Sequence, residues 1–117
     1  MSKILFLDDD PIRTARLSQA EPKAVCVETA AECITQLKDN GPWDVVLLDH
    51  DLGGETYVSS SREDCGMEVV RWLELNKTEI GRIVVHSYNN YAVPHMMRAL
   101  RRAGYSVVRI PFADLFR

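Results

Sequence analysis

The sequence lacks several features that would have fixed its class at once. No apolar run approaches the ~18 residues that a membrane-spanning helix needs. The opening stretch Met1-Ser2-Lys3-Ile4-Leu5-Phe6-Leu7 meets acid at Asp8 instead of continuing as a signal peptide. The cytoplasm is therefore the expected compartment. Cysteine is sparse, and Cys26, Cys33 and Cys65 form an odd set without metal-ligand spacing. They are read as reduced thiols filling core or boundary positions, which argues against a disulfide framework or a zinc centre. An excess of basic charge is also missing. Fourteen Lys and Arg stand against 17 Asp and Glu, a net charge of −3, so there is no basic field to hold a nucleic-acid duplex. No repeat, low-complexity stretch or linker divides the 117 residues, and a single domain over 1–117 is expected.

What is present suits an ordinary globular protein, with 46% hydrophobic and 26% charged residues. Short apolar runs alternate with stretches of helical period, the pattern of a parallel sheet with crossover helices. Lys3 to Leu7 reads as the first strand. Asp10 can cap a helix opened by Pro11, and Pro22 stops it. Ala24 to Val27 is the second strand, and Thr29 can cap the helix Ala30 to Lys38, with Ala30, Cys33, Ile34 and Leu37 inward. Val45 to Leu48 lacks polar alternation, as expected of a central strand buried on both faces. A long loop, roughly His50 to Cys65, precedes a helix marked by Met67, Val70, Trp72 and Leu73. Loops of that length are often lids or binding loops. Ile83 to Val85 is the fourth strand, and a helix follows from about Ala92 to Ala103 with Met96, Met97 and Leu100 inward. Ser106 to Arg109 is the fifth strand. Right-handed crossovers reduce the options to an α/β doubly wound five-stranded parallel sheet in the order 2-1-3-4-5, lacking most or all of a final helix. The sheet face left by that helix is expected to be covered by Phe112 to Arg117 or by a second copy, with a homodimer preferred. Arg98, Arg101 and Arg102 share a late helix and read as a solvated face, or alternatively as a docking patch for a phosphate-bearing partner.

In such sheets, ligands bind outside the carboxyl ends of the strands at the switch point. Three strands end there in polar chemistry: Asp8, Asp9 and Asp10 after the first, Asp49, His50 and Asp51 after the third, and His86, Ser87 and Asn89 after the fourth. Carboxylates brought this close cannot all stay ionised without a cation or shifted pKa values. Oxygen ligands of this kind suit Mg²⁺ or Mn²⁺, which in turn suits a phosphoryl group. The plainer alternative is that Asp10 and Asp51 only cap the segments after them, and that His86 is a buried imidazole with its hydrogen bonds satisfied. His95, inside a helix, reads as structural or surface.

These residues resemble response-regulator receiver domains across nearly the whole chain. Asp8 and Asp9 match that family's acidic metal-binding pair, Asp49 its phosphoacceptor, and Ser87 its strand-four hydroxyl. At the position of its Lys before Pro, this sequence has Ile110 before Pro111. A narrower resemblance is to the cyclic-phosphate-processing receiver family, carried by Leu48-Asp49-His50-Asp51-Leu52-Gly53, by Gly66 and by His86-Ser87-Tyr88-Asn89 with Met96. Asn90 and Ala92 depart from that family's Pro and Gly, and its Arg behind the acidic pair comes later here, as Arg13.

The resemblance implies a metal held by Asp8 or Asp9 with Asp49, a phosphate held by Ser87 and Asn89, and His50 and His86 as acid and base. Asp51 would orient a histidine or cap the loop. The activity implied is hydrolysis of a cyclic or terminal phosphate of RNA or a nucleotide, with a phosphate-bearing small molecule or RNA end as partner. Two other functions remain open: a signalling receiver phosphorylated on Asp49, and a non-catalytic phosphate-binding or interaction module.

Overall fold

The structure, a computed structural model, describes residues 2–52, 54–55 and 57–116. Five parallel strands form one sheet in the order β2-β1-β3-β4-β5: β1 Ile4–Leu7, β2 Val25–Val27, β3 Trp43–Leu48, β4 Ile80–Val85 and β5 Val107–Arg109. The connecting helices are α1 Pro11–Ala20, α2 Ala30–Asp39, α3 Gly66–Leu75 and α4 Val93–Arg102. This is the doubly wound architecture and strand order expected.

The alternation of side chains along each strand builds two cores. Leu5, Leu7, Val46, Leu48, Ile83, Val85 and Val107 point to one face, where α2, α3 and α4 bury Leu37, Val70, Leu73, Met96 and Leu100 against them. Ile4, Phe6, Leu47 and Val84 point to the other, and α1 supplies only Leu17 there. The rest of that face is closed by a 3₁₀ turn, Phe112–Phe116, which inserts Phe112 and lays Leu115 and Phe116 over it. Arg16 of α1 stacks on the Phe116 ring, 4.7 Å from its centroid. Of the two covers expected for this face, the chain itself therefore provides one.

Two strands run longer than the continuous apolar runs that mark them in the sequence. β3 begins at Trp43 and β4 at Ile80, pairing Trp43 with Ile80 and Val45 with Arg82. The added residues Gly81 and Arg82 are exposed and carry no apolar periodicity. Gly81 is needed there because a Cβ would lie 2.6 Å from the Asp44 carbonyl oxygen. Arg98, Arg101 and Arg102 all face solvent along α4. Among the described residues, no helix is long and apolar enough to cross a membrane.

Candidate functional site

The carboxyl ends of β1, β3 and β4 lie side by side, since Leu7 pairs with Leu48 and Leu48 with Val85. The next residues, Asp8, Asp49 and His86, therefore emerge in one row. Asp8, Asp9 and Asp49 each place a carboxylate oxygen within 4.8 Å of the others. Asp10 is set apart: its Oδ1 accepts from the backbone N–H of Ile12 and Arg13 at 2.8 and 3.3 Å and so caps α1. The capping reading applies to Asp10, while Asp8 and Asp49 are fully or almost fully buried with no helix to cap.

One residue missing from the expected constellation dominates its electrostatics. Arg13 donates from Nε to Asp8 Oδ2 at 2.7 Å and from Nη2 to Asp8 Oδ1 at 3.0 Å, a bidentate clamp. The same guanidinium is 3.7 Å from Asp49 Oδ2 and 3.7 Å from Asp10 Oδ2. The signal for it was in the sequence, because side chains in a first helical turn lean back toward the N-terminus. An Arg three residues past the cap thus reaches the acids that precede the helix. Even with this cation, burial raises the Asp8 pKa above its ordinary value. Burial, reinforced by the charge of Asp8, pushes Asp49 up to about 7.

His86 takes the position of the alternative reading, a buried imidazole with a hydrogen-bond partner, and His50 turns away from the carboxylate row. His86 is buried against Phe6, stacked at 4.9 Å between centroids, with Phe112 at its edge. Its Nε2 lies 3.2 Å from the Leu7 carbonyl oxygen, which makes Nε2 the protonated nitrogen. Its Nδ1 is 3.8 Å from Asp8 Oδ2. Burial and the nearby Arg13 charge lower its pKa to about 3, so it is neutral at physiological pH. His50 is also fully buried and turns toward the β3–α3 loop. Its Nδ1 is 2.7 Å from Asp51 Oδ1 and its Nε2 is 3.0 Å from Ser60 Oγ. Burial alone would lower its pKa, but neighbouring Cys65 and Asp51 outweigh that and raise it.

Asp51 organises this loop. Beyond His50, it accepts from the backbone N–H of Tyr57 and Val58 and from Asn89 Nδ2 at 2.7, 3.0 and 3.0 Å. Burial works against its ionisation, and these donors more than compensate, so its pKa falls. It thus both orients a histidine and caps the loop. Asn89 uses its other end, Oδ1, to accept from Tyr91 and Ala92 N–H at the entry to α4. Gly66 lets α3 start directly against this corner; a Cβ there would lie 1.8 Å from the Asp49 carbonyl oxygen.

A cavity of about 490 Å³ opens above the carboxylates, bounded by Asp9, Arg13, Asp49, Asp51, Ser87 and Tyr88 among others. Among the described residues, neither His50, His86 nor Asn89 lines it. Gly53, part of the run after β3, lies outside the described residues. Ser87 reaches the cavity while its Oγ accepts from Asn89 N–H at 3.0 Å. Tyr88 was not among the expected site residues; it lines the cavity and fixes its hydroxyl by accepting from Ala113 N–H at 2.9 Å. Ile110 packs into the core cluster with Phe6 and Phe112. Arg109 donates from Nη2 to Ser87 O and Asn90 Oδ1 at 3.1 and 2.8 Å, away from the carboxylates.

The sequence profile of the cyclic-phosphate processing receiver domain matches residues 3–102. The chain belongs to this family. No match was found among curated proteins. Solved structures resembling this receiver are distant in sequence. The response regulator TrrA of Thermotoga maritima, described in complex with Mg²⁺–BeF, shares 21% identity with a TM-score of 0.65, the match covering 99% of this chain and 94% of that one. A Francisella response-regulator receiver domain shares 14% identity with a TM-score of 0.61 over 98% and 90% of the two chains. The signal receiver domain of a Vibrio parahaemolyticus protein described as a Luxo repressor shares 21% with a TM-score of 0.56 over 98% and 84%. At these identities, the likeness establishes the fold of the receiver and nothing narrower.

Proposed function

We propose that this receiver binds a divalent metal ion and hydrolyses cyclic or terminal phosphates of RNA or nucleotides at the Asp8–Asp9–Asp49 edge. The observation that carries the reading is the convergence of three carboxylate oxygens within 4.8 Å beside an open cavity that also presents Arg13 and Ser87. Hard oxygen donors at this spacing fit Mg²⁺ or Mn²⁺. Asp9 and Asp49 would hold the ion together with Asp8, in competition with Arg13 for the Asp8 oxygens. Bound there, the ion would offset the carboxylate charge and polarise a phosphoryl oxygen. TrrA, which has the same fold, is described in complex with Mg²⁺–BeF, and this supports a metal and phosphoryl reading here.

The Ser87 hydroxyl and the Arg13 guanidinium are the groups in this chain suited to holding phosphate oxygens. Hydrolysis adds the oxygen of water to phosphorus and breaks one ester bond, with a proton passing to the leaving ribose oxygen. Of the three residues expected to be catalytic, Asp49 alone lines the cavity. Proton handling therefore falls to Asp49 or to solvent, and His50, His86 and Asn89 take positioning roles behind the wall. Hydrolysis of nucleoside 2′,3′-cyclic phosphates and of RNA ending in one, with Mg²⁺ or Mn²⁺ from pH 5 to 9, tests the reading. Turnover by the wild type and its loss in Asp49→Asn are expected. No turnover of any of these substrates would refute it.

The signalling alternative is weakened by one observation. Ile110, in the position of the lysine that would pair with an aspartyl phosphate, is part of the apolar cluster.

A further inference from the structure

Two large aromatic side chains stand in solvent close to the site while their backbones are tied down. Tyr57 is 65% exposed and Tyr91 80% exposed, and their rings meet edge-to-face at 6.1 Å between centroids. An exposed tyrosine alone is ordinary; the way this pair is held is not. Tyr57 N–H donates to Asp51 Oδ2, Tyr91 N–H donates to Asn89 Oδ1, and Asn89 Nδ2 donates to Asp51 Oδ1. One partly buried network thus fixes both backbones. Tyr57 is moreover held at φ 53°, a conformation that a bulky residue avoids unless its surroundings impose it.

The rings border a second cavity of about 400 Å³, lined also by Ser59, Ser60, Asn89 and His95. Asp51, whose side chain anchors the loop carrying Tyr57, is itself a wall of the phosphate cavity. One carboxylate therefore walls the first cavity and holds the backbone of a residue that borders the second. An aromatic face offers stacking to any base, and hydroxyl, amide and imidazole groups offer hydrogen bonds to its edge. The chain is acidic, which disfavours a grip on a run of phosphates.

We infer that the Tyr57–Tyr91 pair offers one ring face, braced by the edge of the other ring, as a stacking platform for the base of a nucleotide or RNA end whose phosphate occupies the Asp49 cavity. The inference rests on the phosphate reading of that cavity and adds the part of the ligand that gives affinity and selectivity. It separates this domain's ligand from a simple sugar phosphate.

Calorimetric titration with adenosine 2′,3′-cyclic phosphate and with its base-free analogue, 1-O-methylribose 2′,3′-cyclic phosphate, tests it. The wild type should bind the nucleotide about five- to hundredfold more tightly, the range expected of one stacked base. Tyr91→Ala should lose most of that preference without changing affinity for the base-free analogue, and Tyr91→Phe should keep it. Tyr57→Gly, which accepts the positive φ, should behave like Tyr91→Ala. Asp49→Asn should change binding of both ligands alike. Equal affinity of the wild type for the two ligands, or an undiminished preference in Tyr91→Ala, would overturn the platform and leave the phosphate reading standing. If neither ligand binds, both fail together.

Discussion

Replacing Asp49 by Asn should stabilise the protein at alkaline pH and do little below pH 4. The carboxyl group of Asp49 has an ordinary pKa of 3.8 and is held in the fold at about 7 by burial and by Asp8. A folded-state pKa above the unfolded one means that the folded protein holds its proton more tightly. Ionising Asp49 therefore costs folding free energy, beginning as pH rises past about 4 and complete above about 7. At about 1.36 kcal/mol per tenfold change in proton affinity, the cost saturates near 4 kcal/mol. Asn is nearly isosteric and never ionises, and its Oδ1 can still accept the His50 N–H that Asp49 accepts at 2.9 Å. Urea denaturation of both proteins at pH 4, 6 and 8, with chelator present, measures the difference directly.

The comparison must be between the two proteins, because His86 contributes with the opposite sign. Its folded pKa, about 3 against an ordinary 6.5, makes the fold gain stability as pH rises between those values. In the wild type, the two effects partly cancel; in the difference, His86 drops out. Asp49→Asn should gain on the wild type by several kcal/mol between pH 4 and 8. A stability difference that does not change with pH would mean that Asp49 is ionised normally, and the account of crowded carboxylates would be wrong.

Arg13→Met should destabilise the domain by up to about 3–5 kcal/mol, the cost of stripping a buried carboxylate of its partner. Millimolar Mg²⁺ should recover part of that loss and bind more tightly than to the wild type, as read by thermal melts and calorimetry. Gly66→Ala should cost about 3 kcal/mol or more, because its Cβ would lie 1.8 Å from the Asp49 carbonyl oxygen; chemical denaturation gives the value. Acetyl phosphate should label Asp49 poorly, since Ile110 supplies no cation, and intact-protein mass spectrometry showing stoichiometric, lasting phosphorylation would reverse that conclusion.

The fold was legible because a parallel sheet writes itself into sequence as apolar strands with breaks between them. Leu5, Leu7, Val46 and Leu48 are buried on one face and Phe6 and Leu47 on the other, so no polar residue interrupts the run. The ends of β3 and β4 were less legible. Trp43-Asp44 and Gly81-Arg82 extend the strands beyond their continuous apolar runs, because Trp43 is buried but Asp44, Gly81 and Arg82 are exposed. At the site, the strand-end positions of Asp8, Asp49 and His86 follow directly from strand register. The directions of the histidine side chains do not. His50 follows Asp49 by one residue and so leaves the strand on the opposite side, toward Asp51 and Ser60. His86 lies beneath Asp8 because the Leu7 carbonyl oxygen and the Phe6 ring fix it there. Neither partner is visible from a motif.

Charge crowding at a sheet edge has two remedies, a cation or a proton, and this chain uses both before any metal arrives. Arg13 clamps Asp8, and Asp49 is held at a pKa of about 7, on the verge of protonation at neutral pH. A metal ion entering this site must do more than find three oxygens. It must compete with a bidentate guanidinium for Asp8 and displace the Asp49 proton. Both requirements weaken the ion's apparent affinity, and the second makes it stronger as pH rises. A phosphate ligand would change the balance, because it offers Arg13 a second anion and so loosens its hold on Asp8. Metal and phosphate should therefore bind with positive coupling, each binding more tightly when the other is present. In a receiver with an uncommitted acidic pair, Mg²⁺ would meet no such competition.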